Sequence, residues 1–286
     1  MKLSGVWLPI ITPFSKGNVD FKSYKNLIEY YVPKGISGIM PLGTTGESPT
    51  ISDYEFEELV EKTKEYVNGR VPIFVGLGGN NTEKVVKQVK VLEKSKVDGI
   101  LSVAPYYSRP DQRGIYEHFR RISEATDLNI VVYNIPYRTG RNIENSTIYK
   151  LAELSNIVGI KDSCGDIKQS TELLLNQPKD FSILTGEDAL FYTTLLLGGS
   201  GGILASSHIR TEEFIKVYNS IQNNDHKTAL GIWKELHKFI PMLFEEPNPA
   251  PIKYYLSKHG LIESSEVRLP LVEITESLKE KMDRIL

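Results

Sequence analysis

Lys161 closes the run Ile157-Val158-Gly159-Ile160-Lys161 and is its only charged residue. An ammonium drawn into apolar surroundings is desolvated, which disfavours its charged form and lowers its pKa. A neutral lysine amine attacks carbonyl carbon and is suited to forming a Schiff base. The alternative is a lysine paired with Asp162 or another carboxylate in a polar layer. Tyr133 ends a second apolar run and leads into Asn134-Ile135-Pro136-Tyr137-Arg138-Thr139-Gly140. Such a tyrosine is either a core residue with its hydroxyl at the surface or, beside an imine-forming lysine, a phenol that relays protons. Arg138 sits in a loop with proline and glycine, as a solvated charge or as a fork for a substrate carboxylate. Gly43-Thr44-Thr45-Gly46-Glu47-Ser48 offers backbone N–H groups and hydroxyls in one turn. That turn is either an ordinary connection from strand to helix or a nest for a small anion.

Several other chemistries find no support. The five histidines (His118, His208, His226, His237 and His259) are scattered singly, without the spacing of a metal site, so no metal is expected. Gly76-Leu77-Gly78-Gly79 lacks a third glycine at Asn81, and Gly198-Gly199-Ser200-Gly201-Gly202 precedes a strand instead of following one. Neither suits a dinucleotide. Cys164 has no recognisable base partner and reads as structural. The segment at Glu187 and Asp188 is acidic, and Ala205-Ser206-Ser207-His208 has no glycine cradle, so small carboxylates fit better than sugar phosphates.

These residues hang on a regular alternation. Apolar runs of four to seven residues occupy 5–11, 38–42, 72–77, 99–103, 129–133, 157–161, 182–185 and 201–205. Their length and their Val, Ile and Leu content suit strands buried on both faces. Amphipathic stretches lie between them. In 53–66, Phe56, Leu59, Val60, Thr63 and Tyr66 mark one helical face, and Glu57, Glu61, Lys62 and Glu65 the other. The dipeptide Gly-Ile recurs at 38, 99, 159 and 202, on every second run. That suits a closed parallel barrel, whose interior is layered by side chains from alternate strands. An open doubly wound sheet shares the alternation, but Ile11-Thr12-Pro13-Phe14 stands where its glycine-rich turn belongs. The expected fold is α/β, a (β/α)8 TIM barrel over 1–224 with a C-terminal helical extension over 225–286 packed on it. Its helical segments fall near 227–243, 250–259 and 272–285, separated in part by Pro247, Pro249 and Pro251. Barrel enzymes build their sites at the C-terminal ends of the strands, where Lys161, Tyr133 and the Thr44 turn fall.

Composition agrees with a soluble, cytosolic and globular protein. The 286 residues carry 34 Lys plus Arg against 36 Asp plus Glu, a net charge of −2. No electrostatic footprint for nucleic acid or an anionic membrane results. A single cysteine excludes an intrachain disulfide framework and suits a reducing cytoplasm. The apolar stretch 3–14 is broken by Pro9 and Pro13, unlike a spanning helix or a signal segment.

Together, Gly43-Thr44-Thr45-Gly46-Glu47, the segment from Tyr133 to Gly140 and Gly159-Ile160-Lys161-Asp162 resemble the dihydrodipicolinate synthase and N-acetylneuraminate lyase superfamily. These are Schiff-base aldolases that act on pyruvate. The resemblance runs from Pro9-Ile10-Ile11-Thr12-Pro13-Phe14 to Glu246-Pro247-Asn248-Pro249-Ala250-Pro251-Ile252-Lys253 and Arg268-Leu269-Pro270-Leu271. Those last segments, with Arg138, are most similar to the dihydrodipicolinate synthase branch. The resemblance implies that Lys161 forms an imine with pyruvate, whose carboxylate rests on Thr44 and Thr45. It implies that Tyr133 relays protons through Thr44 to Tyr107, which would reach across a dimer interface into the neighbouring site. Arg138 would hold the carboxylate of aspartate semialdehyde, and the backbones of Gly186 and Ile203 would line the pyruvate pocket. The implied reaction condenses pyruvate with L-aspartate 4-semialdehyde to 4-hydroxy-tetrahydrodipicolinate, for lysine and diaminopimelate biosynthesis. It needs no cofactor beyond the covalent imine, and the implied assembly is a homotetramer built as a dimer of dimers.

Two alternatives stay open. A 2-keto-3-deoxy sugar acid aldolase or N-acetylneuraminate lyase shares the lysine and tyrosine but typically lacks the arginine. A non-catalytic keto-acid-binding relative should have lost Lys161, Tyr133 or Thr44. The chain also departs from the branch in two places. Lysine-sensitive members carry a basic or histidine side chain near Phe56 and a glutamate near Lys84, so feedback by lysine should be weak or absent here. Ser206-Ser207-His208 also differs from the usual residues of that segment.

Overall fold

The computed structural model describes residues 1–285. The eight apolar runs form eight parallel strands: β1 Gly5–Leu8, β2 Gly38–Ile39, β3 Phe74–Gly76, β4 Gly99–Val103, β5 Asn129–Asn134, β6 Ile157–Asp162, β7 Ser182–Thr185 and β8 Gly201–Ile203. They hydrogen-bond in the order β2-β1-β8-β7-β6-β5-β4-β3, with an isolated parallel bridge between Ile39 and Ile73. From β3 to β8 each strand therefore neighbours the one that follows it in the chain, as β1 neighbours β2. The strands beginning at Gly5, Gly38 and Phe74 are shorter than the apolar runs that contain them. Pro9, Pro41 and Pro72 lie at their edges, and proline has no N–H to give a ladder. Ile10, Ile11 and Leu42 stay buried beyond the strand ends, so the apolar pattern reports burial and not hydrogen bonding.

The chain forms two compact units. The first comprises Met1–Gly5 and Phe74–Ile203 and contains β3 to β8. Within it Val103 pairs with Tyr133, Tyr133 with Lys161, and Lys161 with Leu184. Side chains alternate across a strand, so Tyr133 and Lys161 share one face while Asn134 and Asp162 take the other. The repeated Gly-Ile has a packing cause. A Cβ at Gly99 would lie 2.5 Å from the Phe74 ring, and one at Gly159 would lie 2.5 Å from the Ser182 carbonyl oxygen. The isoleucines that follow, Ile100 and Ile160, are fully buried.

The second unit comprises Val6–Ile73 and, among the described residues, 204–285. It pairs Trp7 of β1 with Gly38 of β2, and the glycine leaves the space that the Trp7 ring fills. A small antiparallel hairpin, Phe14–Ser15 with Asn18–Val19, follows β1 and was not legible as strand in the sequence. Helix Asp53–Val67 starts at a capping box made by Ser52 and Glu55. His208 is a core residue: its Nδ1 donates to the Ala205 carbonyl at 2.8 Å and its Nε2 accepts from Ile11 N at 3.3 Å. Burial lowers its pKa to about 4, so it stays neutral. The C-terminal helices are His226–Phe239, Ala250–Lys258 and Glu276–Ile285. The first ends before Pro241, which continues as the 3-10 turn Pro241–Phe244. The last starts later than its apolar pattern, because Thr275 Oγ1 caps it by accepting from Leu278 N at 3.3 Å. No helix among the described residues is long and apolar enough to cross a membrane.

Candidate active site

In the first unit, Lys161 lies near the end of β6 and is 7% exposed. None of the ion pairs among the described residues involves it, and its Nζ stands 4.3 Å from the centre of the Tyr133 ring. Pairing with Asp162 is ruled out by strand alternation. Asp162 faces away and accepts from Ser170 Oγ at 2.5 Å and from Cys164 N at 3.1 Å. Burial lowers the Lys161 ammonium to about 8, against the upward pull of the Asp188 and Glu187 carboxylates and with a smaller push from Arg138. Tyr133 is buried too. There desolvation, reinforced by Tyr137, drives the phenol well above its ordinary value. The amine can thus shed its proton near neutrality while the phenol keeps one to give.

Gly186 follows β7, and its N–H donates to the Asp162 carbonyl at 2.8 Å. A Cβ there would lie 2.3 Å from Ser163 Oγ and 2.5 Å from Lys161 Cε. Glycine is therefore required if the lysine is to occupy its place. Ser163 was missed in the sequence. It is fully buried, and its Oγ has no partner at full hydrogen-bond geometry, although the hydroxyl acts on the Tyr133 phenol in the lowering direction. The available signal was its place two residues after the lysine, on the same face of the extended chain.

Arg138 stands in the one-turn helix Pro136–Thr139, exposed, with its guanidinium 5.3 Å from the centre of the Tyr137 ring. Its Nε donates to the Tyr137 hydroxyl at 3.3 Å, and it forms no ion pair with any described residue. Ile203, the last residue of β8, is fully buried. Tyr107 projects from the surface at 89% exposure, from a backbone at φ 67°. Cys164 is half-buried, and burial together with the Asp162 carboxylate pushes its thiol up to about 11. It is an unreactive thiol at neutral pH, as a structural cysteine should be.

In the second unit, the turn after β2 is closed by Gly46 N to Gly43 O and Glu47 N to Thr44 O, each 3.0 Å. Thr12 Oγ1 donates to the Gly46 carbonyl at 2.8 Å and braces the turn from behind. The N–H groups of Thr44 and Thr45 donate to no described residue. Adjacent amides left without an acceptor on a braced turn are the feature an anion nest requires. Thr45 is buried, and its Oγ1 accepts from Asn248 Nδ2 at 2.9 Å.

The sequence profile of the Dihydrodipicolinate synthetase family matches residues 2–286. The chain belongs to this family. A 4-hydroxy-tetrahydrodipicolinate synthase 2 of Clostridium acetobutylicum is 63% identical over 286 residues, which is 100% of both chains. The crystal structure of dihydrodipicolinate synthase from Thermotoga maritima superposes with a TM-score of 0.95 at 38% identity, over 99% of this chain and 97% of that one. A chloride-inhibited dihydrodipicolinate synthase from Acinetobacter baumannii, complexed with pyruvate, gives a TM-score of 0.95 at 33% identity, with 99% and 97% covered. The fold is the family's (β/α)8 barrel with C-terminal helices, as the alternation of strands and helices led us to expect.

Proposed function

We propose that this chain is an enzyme of the lyase class that condenses pyruvate with L-aspartate 4-semialdehyde to 4-hydroxy-tetrahydrodipicolinate, in lysine and diaminopimelate biosynthesis. One observation carries the chemistry: Lys161 is a buried amine without an ion pair, lowered to about 8 and set against a protonated phenol. Family membership and the 63% identical synthase support the choice of aldehyde.

Neutral Lys161 adds to the ketone carbon of pyruvate. Tyr133 supplies the proton with which the carbinolamine loses water to give the imine. The Tyr133 phenolate takes a methyl proton, leaving an enamine, whose carbon attacks the aldehyde carbon and forms the new C–C bond while the aldehyde oxygen receives that proton from Tyr133. The amino group of the former semialdehyde then displaces Lys161 from the imine carbon, closing the ring and freeing the amine. The unsatisfied amides of Thr44 and Thr45 take the keto-acid carboxylate. Thr44 also passes protons between Tyr133 and Tyr107. Arg138 takes the carboxylate of the semialdehyde, and the backbones of Gly186 and Ile203 line the pyruvate pocket.

The exposed Tyr107 supports assembly at least as far as a dimer, with a homotetramer as the complete state in the cytoplasm. Residues 1–224 form the catalytic barrel and 225–286 its extension. The test is pyruvate with borohydride followed by intact mass, then turnover with aspartate semialdehyde against 2-keto-3-deoxygluconate. A trapped adduct and turnover of the semialdehyde are expected. No adduct on folded protein overturns the reading, and turnover of the sugar acid alone makes the chain an aldolase of that kind.

A further inference from the structure

The turn bearing Thr44 and Thr45 is fastened to the C-terminal segment at two points. At one, Asn248 Nδ2 donates to Thr45 Oγ1 at 2.9 Å. At the other, Glu47 and Lys253 form an ion pair in which both side chains are fully buried. Glu47 takes a left-handed backbone at φ 54°. Its second oxygen accepts from Arg268 N at 3.0 Å. Lys253 Nζ also donates to the Glu266 carbonyl at 2.8 Å and lies 4.0 Å from the centre of the Phe14 ring. The Arg268 guanidinium lies 4.2 Å from the same ring, donates to both oxygens of Glu55 and reaches the Thr50 carbonyl at 2.9 Å.

A buried ion pair is a poor device for stability alone, since desolvating both charges offsets their attraction. Its value lies in geometry and charge. Two residues beyond Thr45, an uncompensated Glu47 carboxylate would repel any anion on the turn, and Lys253 cancels it. Anchoring Glu47 and Thr45 from one segment also fixes the direction in which the free amides of Thr44 and Thr45 point.

We propose that Lys253, Glu47 and Asn248 are positioning residues that set the affinity of the Thr44–Thr45 turn for the carboxylate of the keto acid. The C-terminal segment thereby acts on substrate binding without touching substrate. This rests on the reading of that turn as the carboxylate site.

The variants are Lys253→Met and Asn248→Ala, the second removing one hydrogen bond and no charge. The readouts are the pyruvate concentration giving half-maximal borohydride trapping, the KM for each substrate, kcat and the melting temperature. Half-saturating pyruvate should rise about tenfold in Lys253→Met and about threefold in Asn248→Ala. The maximal adduct, kcat and the KM for the semialdehyde should stay within about twofold. The double variant Glu47→Gln with Lys253→Met, which leaves no buried charge, should recover part of the pyruvate affinity. A crystal structure of the reduced adduct separates the inference from the reading beneath it. If the carboxylate lies on the Thr44 and Thr45 amides but neither variant moves half-saturating pyruvate, the inference is overturned and the reading stands. A lower melting temperature with unchanged pyruvate affinity counts the same way. A carboxylate found elsewhere overturns both.

Discussion

Lys161 and Tyr133 face each other as register partners on adjacent parallel strands, with the amine nitrogen 4.3 Å from the centre of the phenol ring. A cation over an aromatic face is attracted by the ring and so resists losing its proton. Burial overrides this attraction, because the site takes the amine out of water and gives it no carboxylate in contact. The same burial moves the two groups in opposite senses, the amine down and the phenol up. A nucleophile freed near neutrality beside an acid that stays loaded is the division of labour imine formation needs.

The rate of pyruvate trapping should therefore rise with pH through a midpoint of about 8, set by the Lys161 amine. Stability moves with it. At Lys161 the folded chain binds fewer protons than the unfolded one between about 8 and the ordinary 10.5, so this group's contribution to stability climbs through that window. Below it the buried charge costs the fold about 3 kcal/mol. Lys161→Met should abolish trapping and raise the melting temperature at pH 7, with a smaller gain at pH 10. Thermal melts at the two pH values check this, and an equal or absent gain at both would contradict it.

Gly186→Ala tests the packing around the amine. The added methyl would sit 2.3 Å from Ser163 Oγ and 2.5 Å from Lys161 Cε, and the second contact is on the stem of the reactive side chain. Overpacking of this kind costs about 1–3 kcal/mol in stability. The effect on chemistry should be larger, since the lysine must leave its position over Tyr133. Trapping should slow by at least about a hundredfold while the protein remains folded by circular dichroism. Wild-type trapping rates in this variant would mean that the strand end yields, and that Gly186 is not needed for Lys161.

The sequence was most informative where chemistry and periodicity coincided. Lys161 stood out because a charge ended an apolar run, and Tyr133 because it closed the neighbouring one. The Gly-Ile repeat was visible, but not its cause, since Phe74 and Trp7 reach their glycines from other strands. Glu47 and Lys253 could not be paired by inspection. They are 206 positions apart, one in a turn and the other on a helix, and each reads as a solvated charge until the chain is folded. Ser163 was silent because a serine in an acidic, glycine-containing loop looks like turn chemistry. Strand ends were overextended for a related reason, since Ile10 and Leu42 are as buried as strand residues without joining a ladder.

Arg138→Ala separates the two half-reactions. The guanidinium is exposed, holds no carboxylate and contributes only weakly to the lowering of Lys161. Borohydride trapping of pyruvate should keep its rate within about twofold, whereas the KM for the semialdehyde should rise at least about tenfold, the loss of one charge-assisted contact. Steady-state kinetics with each substrate varied in turn decides. An equal loss for both substrates would place the arginine with the keto acid instead.

Feedback by lysine should be weak or absent. Lysine-sensitive members present a glutamate near position 84, where its carboxylate can meet the effector's ammonium. Here Lys84 lies exposed in the first turn of helix Thr82–Glu93, and its charge repels that ammonium. The helix N-terminus adds positive potential at the same place. Glu83 does not substitute for the missing carboxylate, because successive residues lie about 100° apart around a helix. Phe56, in the second unit, is half-buried and apolar and offers no group to the effector's carboxylate. Turnover should stay above half its starting value as L-lysine is titrated through the sub-millimolar range, and Lys84→Glu should lower the concentration at which inhibition begins. Half-maximal inhibition of the unmodified chain at sub-millimolar lysine would show that other residues bind the effector.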